Sequence, residues 1–166
     1  MRARFCVRCG ARLAPRKLEG RTREVCPRCG HIAFRNAKPC VVLLIERNGA
    51  LLLVRRAIAP YKGWWDLPGG FLEENEHPLD GAVREAREET GLRIAVDEFV
   101  GIYMDRTSDW HTLNICFRTH IVGGRERAGS DAEALRWFSS DELPRRIAYP
   151  RHARRVLRDW RRRQCG

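Results

Sequence analysis

The sequence predicts a mixed α/β domain preceded by a small four-cysteine module, and three observations carry that prediction. Two C-x-x-C-G knuckles stand near the N-terminus, Cys6-Val7-Arg8-Cys9-Gly10 and Cys26-Pro27-Arg28-Cys29-Gly30. At Asn36 to Pro39 the composition then shifts from basic and polar to apolar runs of strand length. Those runs lie on both sides of one capped helical pattern. With 166 residues there is room for one core of the usual ~100–150-residue size and one short appendage. The expected division is a module over 1–36 and an α/β domain over 37–166 ending in a basic helix.

The inner cysteines, Cys9 and Cys26, are separated by 16 residues, which is zinc-ribbon spacing. Each knuckle sets two thiolates on one side of a tight turn. Cys6, Cys9, Cys26 and Cys29 together make a tetrahedral site with no open position, so the Zn²⁺ it predicts is structural. An apparent binding energy of ~10–16 kcal/mol then stands in for the core that so short a module lacks. A redox dithiol pair is the other reading of paired C-x-x-C units. Four thiolates leave His31 unnecessary as a ligand. Cys40, Cys116 and Cys165 are scattered, and the first two sit in apolar runs as inert core thiols.

Val41 to Ile45 is a buried strand, Asn48-Gly49 a hairpin turn, and Leu51 to Val54 the returning strand. Ala59 to Gly63 is loop. Trp64 to Leu72 reads as a short strand, a turn at Pro68-Gly69-Gly70, and another strand. Trp64 and Trp65 point to opposite faces of such a strand, so one of them is core. Pro78 opens a helix to about Thr90, with Leu79, Ala82, Val83 and Ala86 on its apolar face and Gly91 as the stop. Val96 to Arg106 and Leu113 to Val122 are strands joined through Thr107-Ser108-Asp109. Gly123 to Ser130 is loop, Leu135 to Phe138 a short strand, and Tyr149 to Arg163 the terminal helix.

The formal charge of +11 is uneven. Residues 1–38 hold 11 basic and 2 acidic side chains, 39–140 hold 12 and 16, and 141–166 hold 9 and 3. An acidic centre suits divalent cations, and basic ends suit phosphates or nucleic acid. No apolar run approaches the ~20 residues of a membrane span, and no apolar signal core follows Met1. A soluble cytoplasmic protein with no membrane partner is the expectation.

From Gly70 to Leu92 the sequence reads Gly-x5-Glu-x7-Arg-Glu-Ala-x-Glu-Glu-x-Gly-Leu, fixing Glu76, Arg84, Glu85, Glu88, Glu89 and Gly91. On a helix Glu85 lies three residues from Glu88 and four from Glu89, so the three share a face. Their mutual repulsion makes little sense without cations. Mg²⁺, a hard ion held by a few carboxylates and phosphate oxygens, resolves it. The nine positions fixed over 23 residues resemble the signature of the Nudix hydrolases, with the small Ala86 at a usually larger apolar position. Gly63-Trp64-Trp65-Asp66-Leu67-Pro68-Gly69-Gly70 resembles the family's G-x-W-x-L-P-G-G lead-in.

That resemblance implies an α/β/α sandwich and a pyrophosphatase acting on nucleoside diphosphate-linked substrates. It also implies Mg²⁺ or Mn²⁺ held chiefly by Glu85, Glu88 and Glu89, with a carbonyl at Gly69 or Gly70 helping and Glu76 and Arg84 supporting the geometry. One glutamate of the set activates water. A ribbon before such a domain is similar to NADH pyrophosphatases and to the FAD/ADP-ribose pyrophosphatase group. Ile102 to Thr112 departs from the S-Q-P-W-P-F-P-x-S of the first group, while His31 to Lys38 and Arg56 to Gly63 resemble the second. Arg136 to Pro144 resembles a common Nudix ending, but Ala134 stands where many members carry a glutamate.

Arg55, Tyr103, Trp110 and His111 are candidate substrate contacts, with packing or solvation as the alternative. Arg56 and Lys62 also lead into the metal loop. The terminal helix interleaves seven arginines with Val156, Leu157 and Trp160, which fits docking with a solvated basic face or nucleic-acid binding. RNA-cap removal and a non-catalytic binding role are the competing functions, the second weakened by the complete carboxylate set. A homodimer is implied by the resemblance alone.

Overall fold

A computed structural model describes residues 3–106, 111–129 and 131–164. Trp110, the expected turn at Thr107-Ser108-Asp109, and Cys165 lie outside the described residues. The described residues form two compact units that part between Ala37 and Lys38. None of the described helices is long and apolar enough to cross a membrane.

In the first unit, β1 (Ala14–Leu18), β2 (Arg21–Val25) and β3 (Ile32–Ala33) form an antiparallel sheet in that order. The two knuckles repeat one hydrogen-bond pattern. Gly10 N donates to Cys6 O at 2.9 Å and Gly30 N to Cys26 O at 3.0 Å, while Cys6 N and Cys26 N donate to Ala11 O and His31 O at 2.8 Å. Both glycines close their turns at φ 71°, a conformation that side chains disfavour. The four Sγ atoms lie within 4.8 Å of one another, with Cys6 to Cys29 at 3.6 Å and Cys9 to Cys26 at 3.4 Å. Zn–S bonds of ~2.3 Å give a tetrahedron with edges of roughly 3.8 Å, so the cluster fits a zinc ribbon. Among the described residues its apolar surroundings are Leu13, Ala11 and Ala33. The thiols are themselves most of the core.

The second unit is a sheet between two helices: β4 (Lys38–Arg47), β5 (Ala50–Arg56), β6 (Trp65–Asp66), α1 (Pro78–Thr90), β7 (Leu92–Arg106), β8 (His111–Gly124), β9 (Ala132–Phe138) and α2 (Pro150–Gln164). The strand order is β6-β5-β4-β8-β7, with β9 also paired to β5. β4 and β8 run parallel from Lys38 opposite Thr112 to Ile45 opposite Thr119. Side-chain alternation along β4 feeds both faces. Val42 and Leu44 pack in the layer under α2 with Val156, Leu157 and Trp160, whereas Val41, Leu43 and Ile45 pack under α1 with Ala82 and Ala86.

The hairpin partners β4 and β5 pair only at Glu46 with Leu51 and Arg47 with Ala50. Beyond that point β5 turns to β6 and β9. The edge of β4 thus released is taken by the Pro68 to Leu72 segment: Leu43 N donates to Pro68 O at 2.8 Å, Val41 N to Gly70 O at 2.9 Å, and Leu72 N to Pro39 O at 3.1 Å. The second strand expected there is only a bridge between Cys40 and Phe71.

α1 is bounded by Pro78 and Thr90, with Gly91 left-handed at its C-terminal cap. Its buried residues are Gly81, Ala82, Glu85, Ala86 and Thr90, and the expected apolar positions Leu79 and Val83 are 42% and 41% exposed. The Glu85 carboxylate takes the inner face in their place, bonded by Arg84 Nη1 at 2.8 Å. Gly91 and the following strand start β7 four residues earlier than Val96, and residues 125–129 cap the helix end, with Arg127 N on Thr90 O and Gly129 N on Glu89 O, both at 2.9 Å. Trp65, not Trp64, reaches the core, edge-on to Phe138 at 4.9 Å.

Zinc analysis of the purified protein is expected to give one ion per chain, and the Cys9→Ser, Cys26→Ser double variant none, with residues 1–37 becoming protease-sensitive. Full protection of that segment in the zinc-free variant would show that the metal does not hold it.

Candidate functional site

Arg84 organises the carboxylates. Its Nε and Nη2 donate to the two oxygens of Glu76 at 2.6 and 2.8 Å, a bidentate pair. Nη1 donates to Glu85 at 2.8 Å and to Glu88 at 3.1 Å, and Nη2 also reaches the Phe71 carbonyl at 3.0 Å. Glu76 in turn accepts from Glu73 N at 3.1 Å. The Arg84 hydrogen bonds hold the Glu76 carboxyl down at about 2, so it is ionised throughout the physiological range.

Glu85 and Glu89 face the loop pinned on β4. Glu89 Oε2 accepts from Gly69 N at 2.9 Å. A Cβ on Gly69 would overlap the Val41 carbonyl, so that position admits no side chain without moving the loop, and one on Gly70 would displace the Glu85 carboxylate. Burial pushes Glu89 up to about 8, with Glu85 and Asp66 adding to the rise and Gly69 N–H and Arg56 opposing it. Burial likewise raises Glu85 against the pull of Arg84. Glu88 is the open member, its side chain 57% exposed.

An all-oxygen donor set on one helix face, with two of its carboxylates destabilised as anions, fits a hard divalent cation. Among the described residues only the four cysteines already gather three or more ligand atoms within 4.8 Å. The carboxylates are instead spread over Arg84 and Gly69 N. The Gly70 carbonyl accepts from Val41 N, which fixes its direction and uses one of its two lone pairs.

The candidate substrate contacts are distributed differently. Arg55 is paired with Glu133 at 2.9 Å. Its neighbour Arg56, on the opposite face of β5, carries the charge toward Glu89: it pairs with Asp66 at 3.3 Å, donates to Pro60 O at 2.9 Å and lies under the Tyr149 ring at 5.2 Å. Tyr103 is buried in the layer under α2 with its hydroxyl on Asp159 at 3.1 Å, a packing position on the other side of the sheet from α1. His111 is exposed at the start of β8, and no contact among the described residues joins it to the carboxylates. Trp110 lies outside the described residues.

Sequence reasoning missed the floor beside Glu89. Asp66, in the variable position of the lead-in, is buried and pushed up to about 7 by that burial, with Arg56 and Leu67 N–H opposing. Asp105 lies near it and pairs with buried His152 of α2 at 3.1 Å. Tyr61 packs against Tyr149 at 5.0 Å and Trp64 at 5.3 Å, and both tyrosines have positive φ, 66° and 44°. An Asp in an otherwise apolar Trp-x-Leu-Pro run was the available signal.

Comparison with known proteins agrees with this geometry. The model of the NUDIX domain family matches residues 35–160. A protein of Methanocaldococcus jannaschii named ADP-ribose pyrophosphatase is 35% identical over 125 residues, 74% of this chain and 72% of its own length. A Pseudomonas aeruginosa protein named NAD-capped RNA hydrolase NudC is 33% identical over 146 residues, 85% of this chain and 49% of its own, so this chain spans about half that relative. Among solved structures, a NUDIX hydrolase from Nitrosomonas europaea superposes with a TM-score of 0.84 at 32% identity, covering 99% of this chain and 94% of that one. With its family signature folded into a loop and helix that converge on one carboxylate cluster, the chain is a member of the Nudix hydrolase family.

Proposed function

We propose that this chain hydrolyses the diphosphate bridge of nucleoside diphosphate-linked compounds, with FAD and ADP-ribose as the first substrates and Mg²⁺ or Mn²⁺ held by Glu85, Glu88, Glu89 and the Gly70 carbonyl. The observation that carries the reading is the carboxylate cluster itself: Arg84 holds Glu85 and Glu88, Glu85 lies against Gly70, and Glu89 bonds the Gly69 N–H. When bound, the divalent ion neutralises the diphosphate and lowers the pKa of water for attack on phosphorus. Glu76 keeps Arg84 in place, Arg84 sets Glu85 and Glu88, and Gly69 N sets Glu89. Arg56 supplies the nearest positive charge on the floor side, where it opposes the burial of Glu89.

The archaeal relative named for ADP-ribose supports the substrate class. The bacterial relative named for NAD-capped RNA supports a second reading, cap removal or NADH cleavage. Relative rates on ADP-ribose, FAD, NADH and NAD-capped RNA separate the two.

Glu88→Gln and Glu89→Gln are each expected to lower kcat by roughly 10²-fold or more with unchanged far-ultraviolet circular dichroism. Full rate in either variant would remove that residue from the site. Arg84→Ala acts one step away, so it should cost roughly 10- to 100-fold in Mg²⁺ affinity or activity. An unchanged metal titration would show that the clamp does not position ligands.

The raised Glu89 value also fixes a sign. Without metal the carboxyl holds its proton up to about pH 8, and metal binding must displace it. The half-saturating Mg²⁺ concentration should therefore rise as pH falls from 8.5 to 6.5, by up to about tenfold per unit, and flatten above pH 8.5. A profile flat across that window would contradict the assignment of Glu89 as a ligand.

A further inference from the structure

The basic helix α2 has a surface that diphosphate hydrolysis leaves unused. Its inner face is filled by His152, Ala153, Val156, Leu157 and Trp160, all buried, and Trp160 Nε1 is anchored on Glu46 at 3.0 Å. What remains outside is arginine. Positions 151, 155, 158 and 162 advance by four, three and four residues, so they fall in one narrow row along the helix, spanning roughly 16 Å at 1.5 Å per residue.

Internal partners account for only part of this charge. Arg158 pairs with Asp159 at 3.2 Å, Arg163 with Glu98 at 2.6 Å, and Arg161 donates to the Ser140 carbonyl. Arg151, Arg154, Arg155 and Arg162 are exposed and have no carboxylate partner among the described residues, and exposed Arg145 and Arg146 lie just before the helix. The placement works against the helix itself. The first turn holds no acidic residue and begins with Arg151, at the end where the helix dipole disfavours cations. Like charges four residues apart add repulsion in each successive turn. A row that works against its own helix, and in which only Arg158 has a carboxylate partner among the described residues, is explained by an external anion.

We propose that the outer face of α2 binds a single strand of nucleic acid through its phosphates. Guanidinium groups suit phosphate oxygens, which they can grip in bidentate fashion, and a flexible strand can lay successive phosphates along a straight row. A membrane surface fits less well, because interfacial helices insert an apolar face and that of α2 is spent on the core. The residue before α2, Tyr149, covers Arg56. The proposal does not depend on the substrate assignment, since binding can be read without turnover.

The test is fluorescence anisotropy of a labelled 12-nucleotide oligouridylate in magnesium-free buffer. With four to six phosphates contacted, affinity should fall about 50- to 300-fold between 50 and 200 mM salt, following the slope of roughly −0.7 per phosphate for single strands. The Arg151, Arg154, Arg155 and Arg162→Gln variant should bind at least tenfold more weakly with a flatter salt slope, while its melting temperature is no lower than that of the wild type and its hydrolysis of ADP-ribose stays unchanged. If that variant does not fold, the Arg151→Gln, Arg155→Gln pair is read the same way, with a smaller but measurable loss of slope. No binding by the wild type at 50 mM salt, wild-type affinity in the variant, or tighter binding to phosphatidylserine vesicles than to the oligonucleotide would each overturn the proposal.

Discussion

Crowding of like charge is the constraint on which the rest of the second unit turns. Glu76, Glu85, Glu88 and Glu89 converge around one short helix and its preceding loop, and a single cation, Arg84, faces three of them. The fourth is met by a backbone N–H of Gly69. Each of these partners demands accurate placement of something else. The guanidinium needs the Phe71 carbonyl and the bidentate Glu76 to hold its plane, and Gly69 N must point inward from a loop with no regular structure of its own. The fixed glycines follow directly, because a side chain at 70 would occupy the space of the Glu85 carboxylate.

A loop can be held that accurately only if its backbone is bonded to something rigid, and β4 supplies this. By parting from β5 after two residue pairs, β4 frees an edge in the middle of the molecule, and Pro68 to Leu72 takes it. β4 is also the strand whose two faces fill both core layers, so the loop is tied to the best-buried element of the domain. From the other side, residues 125–129 bond the last carbonyls of α1. The carboxylate helix is thus fixed at its base, along one face and at its end, while Glu88 stays open to solvent.

Much of this was legible in the sequence because it is local. Knuckle spacing identified the ribbon cysteines, and Pro78 and Gly91 bracketed α1 since caps are read from a few adjacent residues. What failed was long-range. A helical apolar face containing Leu79 and Val83 is a sound inference when only apolar side chains compete for the interior, but here Glu85 is buried against the distant Gly70, with Arg84 as its partner. Arg55 and Arg56 are equivalent by composition. The pairing of β5 with β6 decides that Arg56 faces Asp66, and that parity is invisible before the pairing is known. Tyr103 stood open between substrate contact and packing because its partner, Asp159, lies 56 positions away. The Asp105 to His152 pair escaped notice for the same reason, its members being 47 positions apart.

That pair gives the floor of the site a property that the carboxylate helix alone lacks. Asp66, Arg56, Asp105, His152 and Tyr149 draw on β6, β5, β7, α2 and the turn before it; Asp66 and Arg56 act on Glu89 directly, and the others stand behind those two. The balance is fine. Arg56 and the Leu67 N–H oppose the burial of Asp66, yet its carboxyl still rises to about 7. His152 moves down under burial in spite of its Asp105 partner. Because Tyr149 stands at the start of α2 and covers Arg56, whose charge acts on Glu89, a shift at the start of α2 reaches the electrostatics beside Glu89 without touching the signature itself. The signature residues place the carboxylates around Gly69 and Gly70, and the remainder of the domain sets the charge of the surface against which a substrate would lie.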